Sequence, residues 1–173
     1  IMQDKKGFLW FATWNGLIKF DGYTFKNYKA FPGDGCTLTT NRFSYITESK
    51  DGDIWCKSYD NRAYLFDIQT EKFIDILLPI ESSLQQTNIV SNIYTLNKGI
   101  TWITCEQGYA FRINEQTCKE GKDIILYSSF NQNLKGNKIF DIYEDSDGDE
   151  WIMTDKGVTI IGKKRINSDY PFK

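Results

Sequence analysis

Asp145-Ser146-Asp147-Gly148-Asp149-Glu150-Trp151-Ile152-Met153-Thr154-Asp155-Lys156-Gly157-Val158 is the stretch on which the fold turns. A glycine stands three residues before a tryptophan, a threonine three residues after it, and a second glycine three further on. Outward from this stretch the same frame recurs. Trp10, Trp55, Trp102 and Trp151 are spaced 45, 47 and 49 residues apart, and their neighbourhoods align without gaps. Three residues before each tryptophan stand Gly7, Gly52, Gly99 and Gly148. Three after stand Thr13, Ser58, Cys105 and Thr154, and six after stand Gly16, Asn61, Gly108 and Gly157. Nine before stand Ile1, Ile46, Ile93 and Ile142, and Phe43, Val90 and Ile139 stand twelve before in three of the repeats.

Each position has a physical reading. The apolar pair at −12 and −9 anchors a short innermost strand. The −3 glycine lies in a turn rich in Asp and Lys, where positive φ carries no steric cost. The tryptophan opens a second strand. The +6 position is Gly three times and Asn once, the residues most tolerant of left-handed backbone, so it predicts positive φ in a hairpin turn. A third strand is expected over 17–20, 63–66, 109–113 and 158–161, with one extra residue in repeats two and three. A fourth, weaker strand is expected over 24–28, 72–76, 124–127 and 165–170. The apolar run 74–80 also reads as a strand, and no amphipathic helical period appears.

Four short strands per unit of about 45 residues make the blade of a β-propeller. The fold class is all-β: about four four-stranded antiparallel blades, over residues 1–31, 41–79, 88–128 and 137–173, packed as an arc of a larger ring. The chain opens at Ile1, in the middle of an innermost strand, which favours an arc over a closed four-bladed ring. The four tryptophans are read as packing between blades.

Composition narrows the function. The chain has 173 residues, a net charge of −2 from 21 basic and 23 acidic side chains, and 27 aromatics. Near-neutral charge removes the basic footprint of a nucleic-acid binder, so no nucleic-acid partner is expected. The absence of histidine removes Ser-His, Cys-His and His-ligated metal mechanisms. Cys36, Cys56, Cys105 and Cys118 lack CxxC spacing, and are read as packed thiols rather than a zinc site. Asp145-Ser146-Asp147-Gly148-Asp149 hints at a calcium loop, but Gly is fourth and Lys156 twelfth where an EF-hand needs Gly sixth and Glu twelfth. It reads instead as a solvated strand connection. No metal and no cofactor are expected. No signal-peptide pattern opens the chain, and no apolar run approaches the ~20 residues that span a bilayer.

The consensus resembles the two-component regulator propeller repeat. It is carried by residues 4–21 (Asp4, Gly7, Trp10, Thr13, Gly16, Asp21) and by residues 145–158. The polar segment 32–41 resembles the loop that family places before an innermost strand. Repeat two departs with Asn61 for the turn glycine, and repeat three with Cys105 for Thr. The Asp-rich turn is also similar to the Asp-box of sialidase propellers, with Ser146 where that box has Asp. The regulator resemblance implies one arc of a seven-bladed propeller in the periplasmic sensor region of a hybrid two-component histidine kinase/response regulator. It implies an oligosaccharide input, partners in the remaining blades and signalling domains, and a second copy of the chain as a further candidate partner. The fragment itself is expected to be no enzyme.

Strand direction alternates within a blade, so loops entering the first strand and leaving the second share one face. That face collects Trp14, Asn15, Arg42, Tyr59, Asp60, Arg62, Glu106, Gln107, Asp155 and Lys156, together with the long inter-blade loops. Loops on a rigid scaffold commonly carry function. Trp14 and Tyr59 stand where the repeat demands no aromatic. Rings beside Asn15, Asp60 and Arg62 suit a sugar, whose apolar face lies on a ring while its hydroxyls meet amides and charges. The same rings could cap hairpins, and Arg42 and Arg62 could be solvated or structural. A glycan-active enzyme needs paired carboxylates roughly 5–10 Å apart. Asp60, Glu106 and Asp155 are available, and nothing selects a pair. A protein-interaction scaffold is the third reading.

Overall fold

The computed structural model describes residues 1–30, 38–84, 89–162 and 165–168, with backbone alone at 82–84 and 165–168. Among these residues, sixteen strands form four separate four-stranded sheets. Blade 1 holds β1 (Met2–Gln3), β2 (Leu9–Thr13), β3 (Gly16–Phe20) and β4 (Phe25–Tyr28). Blade 2 holds β5 (Phe43–Glu48), β6 (Ile54–Ser58), β7 (Ala63–Asp67) and β8 (Lys72–Ile74). Blade 3 holds β9 (Val90–Leu96), β10 (Ile100–Cys105), β11 (Tyr109–Asn114) and β12 (Ile124–Ser128). Blade 4 holds β13 (Ile139–Glu144), β14 (Glu150–Thr154), β15 (Gly157–Gly162) and β16 (Arg165–Ser168). Within every blade, neighbours in sequence pair antiparallel.

The extra residue in repeats two and three is visible in the register. Trp10 faces Lys19 and Trp151 faces Ile160, nine residues on, whereas Trp55 faces Leu65 and Trp102 faces Arg112, ten residues on. The +6 position has positive φ in all four blades, Asn61 included. At Gly108 a side chain is excluded twice over. Its φ is +85°, and a Cβ there would collide with the backbone carbonyl of Asn137 in the next blade's entry loop. The +3 hydroxyl closes the same hairpin, with Thr13 Oγ1 donating to the Gly16 carbonyl at 2.7 Å and Thr154 Oγ1 to that of Gly157 at 2.9 Å.

Three apolar clusters fill the three gaps between successive blades. Trp10, Leu17 and Tyr28 of blade 1 meet Ile54, Tyr64, Phe66 and Phe73 of blade 2. Trp55 and Leu65 meet Ile103, Phe111 and Ile113. Trp102 and Tyr127 meet Ile142 and Ile152. Each gap therefore joins the tryptophan face of one blade to the opposite face of the next. Trp10, Trp55 and Trp102 are fully buried. Trp151 is partly exposed, because its face of blade 4 looks away from blade 3 and no described blade covers it. Among the described residues the four blades thus form an arc.

Polar contacts tie the turns of the opposite face across the gaps. The amide of Lys5 bonds to Glu48 at 3.0 Å, that of Lys50 to Glu115 at 2.8 Å and that of Asn97 to Glu144 at 2.6 Å. Glu150, buried in the gap between blades 3 and 4, accepts the Trp102 indole at 2.7 Å and the Arg112 guanidinium at 2.6 and 2.9 Å.

The strand expected over 74–80 is not there. β8 ends at Ile74 and a short helix, α1 (Leu78–Leu84), follows. Asp75 accepts the Leu78 amide at 3.0 Å, satisfying the first amide of the helix, and Pro79 suits the first turn, where no amide is needed. Seven residues are too few to display a helical stripe, which is why periodicity missed it. The fourth strands are also shorter than expected at 72–74, and Trp151 and its counterparts sit second or third in their strands rather than first.

Candidate functional site

The hairpin turns and the entry segments do share one face, and backbone bonds lock them together. The Gly16 amide donates to Asn41 at 2.7 Å, Tyr59 to Arg42 at 3.0 Å, Val90 to Asn61 at 2.8 Å, Glu106 to Ile89 at 2.9 Å and Asp155 to Lys138 at 3.0 Å. Each entry segment is thereby held by a turn of its own blade, and two are also held by the turn before. Among the described residues, the turns and entry segments of this face thus form a bonded rim.

On that rim the structure brings three of the sequence-predicted residues together. The Trp14 and Tyr59 rings sit 5.4 Å apart at 66°, edge to face, and Trp14 Nε1 donates to the Tyr59 hydroxyl at 3.0 Å. The Arg42 guanidinium lies 5.5 Å from the centre of the Trp14 ring. All three are exposed, Trp14 at 67% and Tyr59 at 52%. Other rings, such as Tyr23 and Phe130, are more exposed still; what sets Trp14 and Tyr59 apart is that they bond to each other across two blades beside Arg42. Asn15 is exposed beside them, and its carbonyl accepts from Asn27 at 3.1 Å.

The remaining predicted residues are placed differently. Asp60 is exposed, but its two oxygens accept the Ser58 and Thr39 hydroxyls, one each. Arg62 turns inward. Its Nη2 meets Asp75 at 2.7 Å and Glu81 at 2.8 Å, clipping α1 over the gap between blades 2 and 3. Burial opposes the charge on Arg62, but the hydrogen bonds it donates to Asp75 and Glu81, with their negative charges, outweigh it and raise its pKa. Its Nε is buried without a partner. Gln107 accepts the Ile89 amide at 3.3 Å. Glu106 is exposed at the blade 3 turn. Asp155 accepts the Asn137 and Lys138 amides at 2.9 and 3.0 Å, and these bonds hold its carboxyl below the usual range. Lys156 is exposed beside it. Residues 32–37 of the polar entry loop, with Cys36, and 85–88 of the next lie outside the described residues.

The acidic turn is occupied rather than merely solvated. Asp145 Oδ1 accepts the amides of Asp147 and Asp149, and Oδ2 accepts the Trp151 indole at 2.7 Å. Blade 1 repeats this arrangement with Asp4 and Trp10 at 2.8 Å. The carboxylate six residues before the tryptophan is a clamp on its own turn. Sequence reading missed it, although the recurring six-residue spacing was there to be read. Among the described residues no group of three acidic or cysteine side chains is placed to hold a metal. A cleft of about 290 Å³ lies between blades 3 and 4, lined by Lys98, Arg112, Ile125, Tyr127, Glu150 and Ile161. Its Arg112 and Glu150 are spent on each other. Cys56, Cys105 and Cys118 are buried free thiols.

Residues 133–156 match the family described as two component regulator propeller. The match falls on blade 4, from its entry segment to its hairpin turn. A histidine kinase of Formosa agariphila is 51% identical over 39 residues, which are 22% of this chain and 3% of that kinase. The fold has solved counterparts in the extracellular domains of two hybrid two-component systems from B. thetaiotaomicron. One superposes with a TM-score of 0.60 at 24% identity over 93% of this chain, the other with 0.58 at 22% over 91%. At that identity the likeness is one of fold. The chain spans 23% and 21% of those two domains. No helix among its described residues is long and apolar enough to cross a membrane.

Proposed function

We propose that this chain is part of the periplasmic, ligand-sensing propeller of a membrane-bound hybrid two-component regulator. It detects an oligosaccharide on the Trp14–Tyr59 rim and signals to a kinase module elsewhere in the protein. The observation that carries the reading is the exposed Trp14–Tyr59 pair, fixed edge to face on two rigid turns of neighbouring blades. One ring offers a stacking surface and the other a hydroxyl, which is the pairing a sugar's apolar face and hydroxyls call for. The regulator propeller match and the extracellular domains that share the fold support the sensor setting.

Signalling follows from the same rim. The Tyr59–Arg62 turn touches blade 1 through Trp14, the blade 2 entry through Arg42, blade 3 through Val90 and α1 through Arg62. A ligand that grips both rings would bias the packing of blades 1, 2 and 3 at once, and that shift would reach the kinase. An enzymatic reading is less supported, since Asp60 and Asp155 are both engaged by hydrogen bonds from their blades' entry segments.

The test is Trp14→Ala in the full-length regulator, with oligosaccharide binding and thermal melting measured together. Weaker binding with an almost unchanged melting temperature is expected, because the ring is exposed. A large fall in melting temperature with unchanged affinity would assign Trp14 to the fold instead. Kinase autophosphorylation unmoved by saturating ligand would remove the signalling half of the proposal.

A further inference from the structure

We infer that the oligosaccharide taken by this rim is acidic, and that Arg42 receives its carboxylate or sulfate beside Trp14 and Tyr59. The inference rests on the sugar-binding reading of the rim and specifies its ligand.

The three arginines whose side chains are described differ in one respect. Arg62 is paired with Asp75 and Glu81, and Arg112 with Glu150. Arg42 is exposed, and among the described residues its guanidinium makes no hydrogen bond and no ion pair. Its backbone is fixed nonetheless: its amide donates to Thr40 Oγ1 at 3.2 Å and its carbonyl accepts from Tyr59. The Trp14 ring lies 5.5 Å from the guanidinium, an arrangement that orients the cation without using its N–H groups.

The hydroxyl of Tyr59 adds to the same imbalance. It accepts the Trp14 indole proton, so its own proton is free to be donated outward. The nearest acceptor on the same turn, Asp60, already accepts one hydroxyl on each oxygen. The rim therefore presents unspent donors, a guanidinium fork and a phenol, and holds its carboxylate in place as a neighbour rather than a partner. A neutral sugar brings donors and acceptors in similar number and would leave the fork mismatched. A carboxylate or sulfate brings acceptors only, and a guanidinium takes it by two parallel bonds that an ammonium does not reproduce. The aromatic ring would carry the sugar while Arg42 carries the charge.

The experiment is equilibrium binding to the full-length protein with matched pairs of oligosaccharides. The probes are oligogalacturonate against its carboxyl-reduced form, and a sulfated glycosaminoglycan oligosaccharide against its desulfated form. At least one acidic member is expected to bind about tenfold or more tighter than its neutral counterpart. That preference should weaken with added salt, vanish in Arg42→Gln and survive in part in Arg42→Lys. Arg42 has no side-chain bond to lose, so the variants should melt as the parent does. Neutral members binding as tightly as acidic ones, or a preference intact in Arg42→Gln, would overturn the acidic ligand. In that case weakened binding by Trp14→Ala would leave the sugar reading standing. Binding of no member of either pair overturns both.

Discussion

Replacing Ser49 by aspartate should stabilise the fold. Ser49 occupies, in blade 2, the place of Asp4 in blade 1 and Asp145 in blade 4. The backbone frames are alike: Asp4 N donates to Phe8 O at 2.9 Å, Ser49 N to Asp53 O at 2.8 Å and Asp145 N to Asp149 O at 3.0 Å. What blade 2 lacks is the carboxylate. The serine hydroxyl is too short to reach the indole, so Trp55 Nε1 and Ser49 Oγ are both buried without partners. A buried polar atom left unmatched costs about 1–3 kcal/mol. In blade 1 the aspartate satisfies the indole at 2.8 Å and two turn amides at 3.0 and 2.9 Å, at a site only 6% exposed. The desolvation of a carboxylate is thus already overcome in this geometry. Lys119, which pairs with neighbouring Asp53 at 2.7 Å, moderates the added negative charge.

The net gain expected for Ser49→Asp is about 1–2 kcal/mol, or roughly 3–6 °C in melting temperature for a chain of this length. Urea unfolding followed by tryptophan fluorescence measures it directly. The reverse change, Asp4→Ser, orphans the Trp10 indole and two amides and should cost about 2–3 kcal/mol. The pH dependence has a definite sign. In blade 4 the indole bond, followed by the turn amides, holds the Asp145 carboxyl below its usual range. The contribution of Asp145 is therefore present above the unfolded value near 4 and is lost as pH falls through the folded one. A Ser49→Asp protein no more stable than the parent at pH 7 would refute the reasoning. So would an Asp4→Ser protein that unfolds at the parental urea midpoint.

Three further outcomes follow from the same packing. Trp55→Phe removes an unpartnered N–H, whereas Trp102→Phe removes a donor to buried Glu150, so the second should cost about 1–2 kcal/mol more in urea unfolding. Gly108→Ala meets the Asn137 carbonyl at positive φ, while Gly121→Ala at φ +73° meets nothing within 4 Å. The latter should cost about 1–2 kcal/mol and the former clearly more, and equal costs would show that the entry loop yields. Burial raises the Cys105 thiol to about 12, Cys118 to about 11 and the Tyr109 phenol to about 12, from 9.0, 9.0 and 10.0. Folded values above unfolded ones mean stability intact below about pH 9 and lost as pH rises through the folded values, which a urea midpoint falling between pH 9 and 11 would register.

The sequence alone determined the repeat, and through it the blade. Glycine at −3 and Gly or Asn at +6 encode positive φ, the +3 hydroxyl closes a hairpin, and a large ring at a constant place packs between neighbours. These are local requirements, satisfied within a few residues, so they are written in the order of the residues. It also determined which side chains crowd one face, because strand alternation is arithmetic. What those side chains do was settled only by contacts between distant segments. Arg42 and Arg62 read alike in the chain, yet one is left open over Trp14 while the other is drawn inward by Asp75 and Glu81 of an unforeseen helix. Asp145 read as a solvated acid and is a clamp; Ser49 read as nothing and is its missing copy. Trp151 carries the same motif as Trp10, and only the absence of a described blade against it leaves it partly exposed. Backbone geometry follows from each residue's own preferences. The state of a charge or an aromatic ring follows from what the rest of the fold brings within a few ångströms of it.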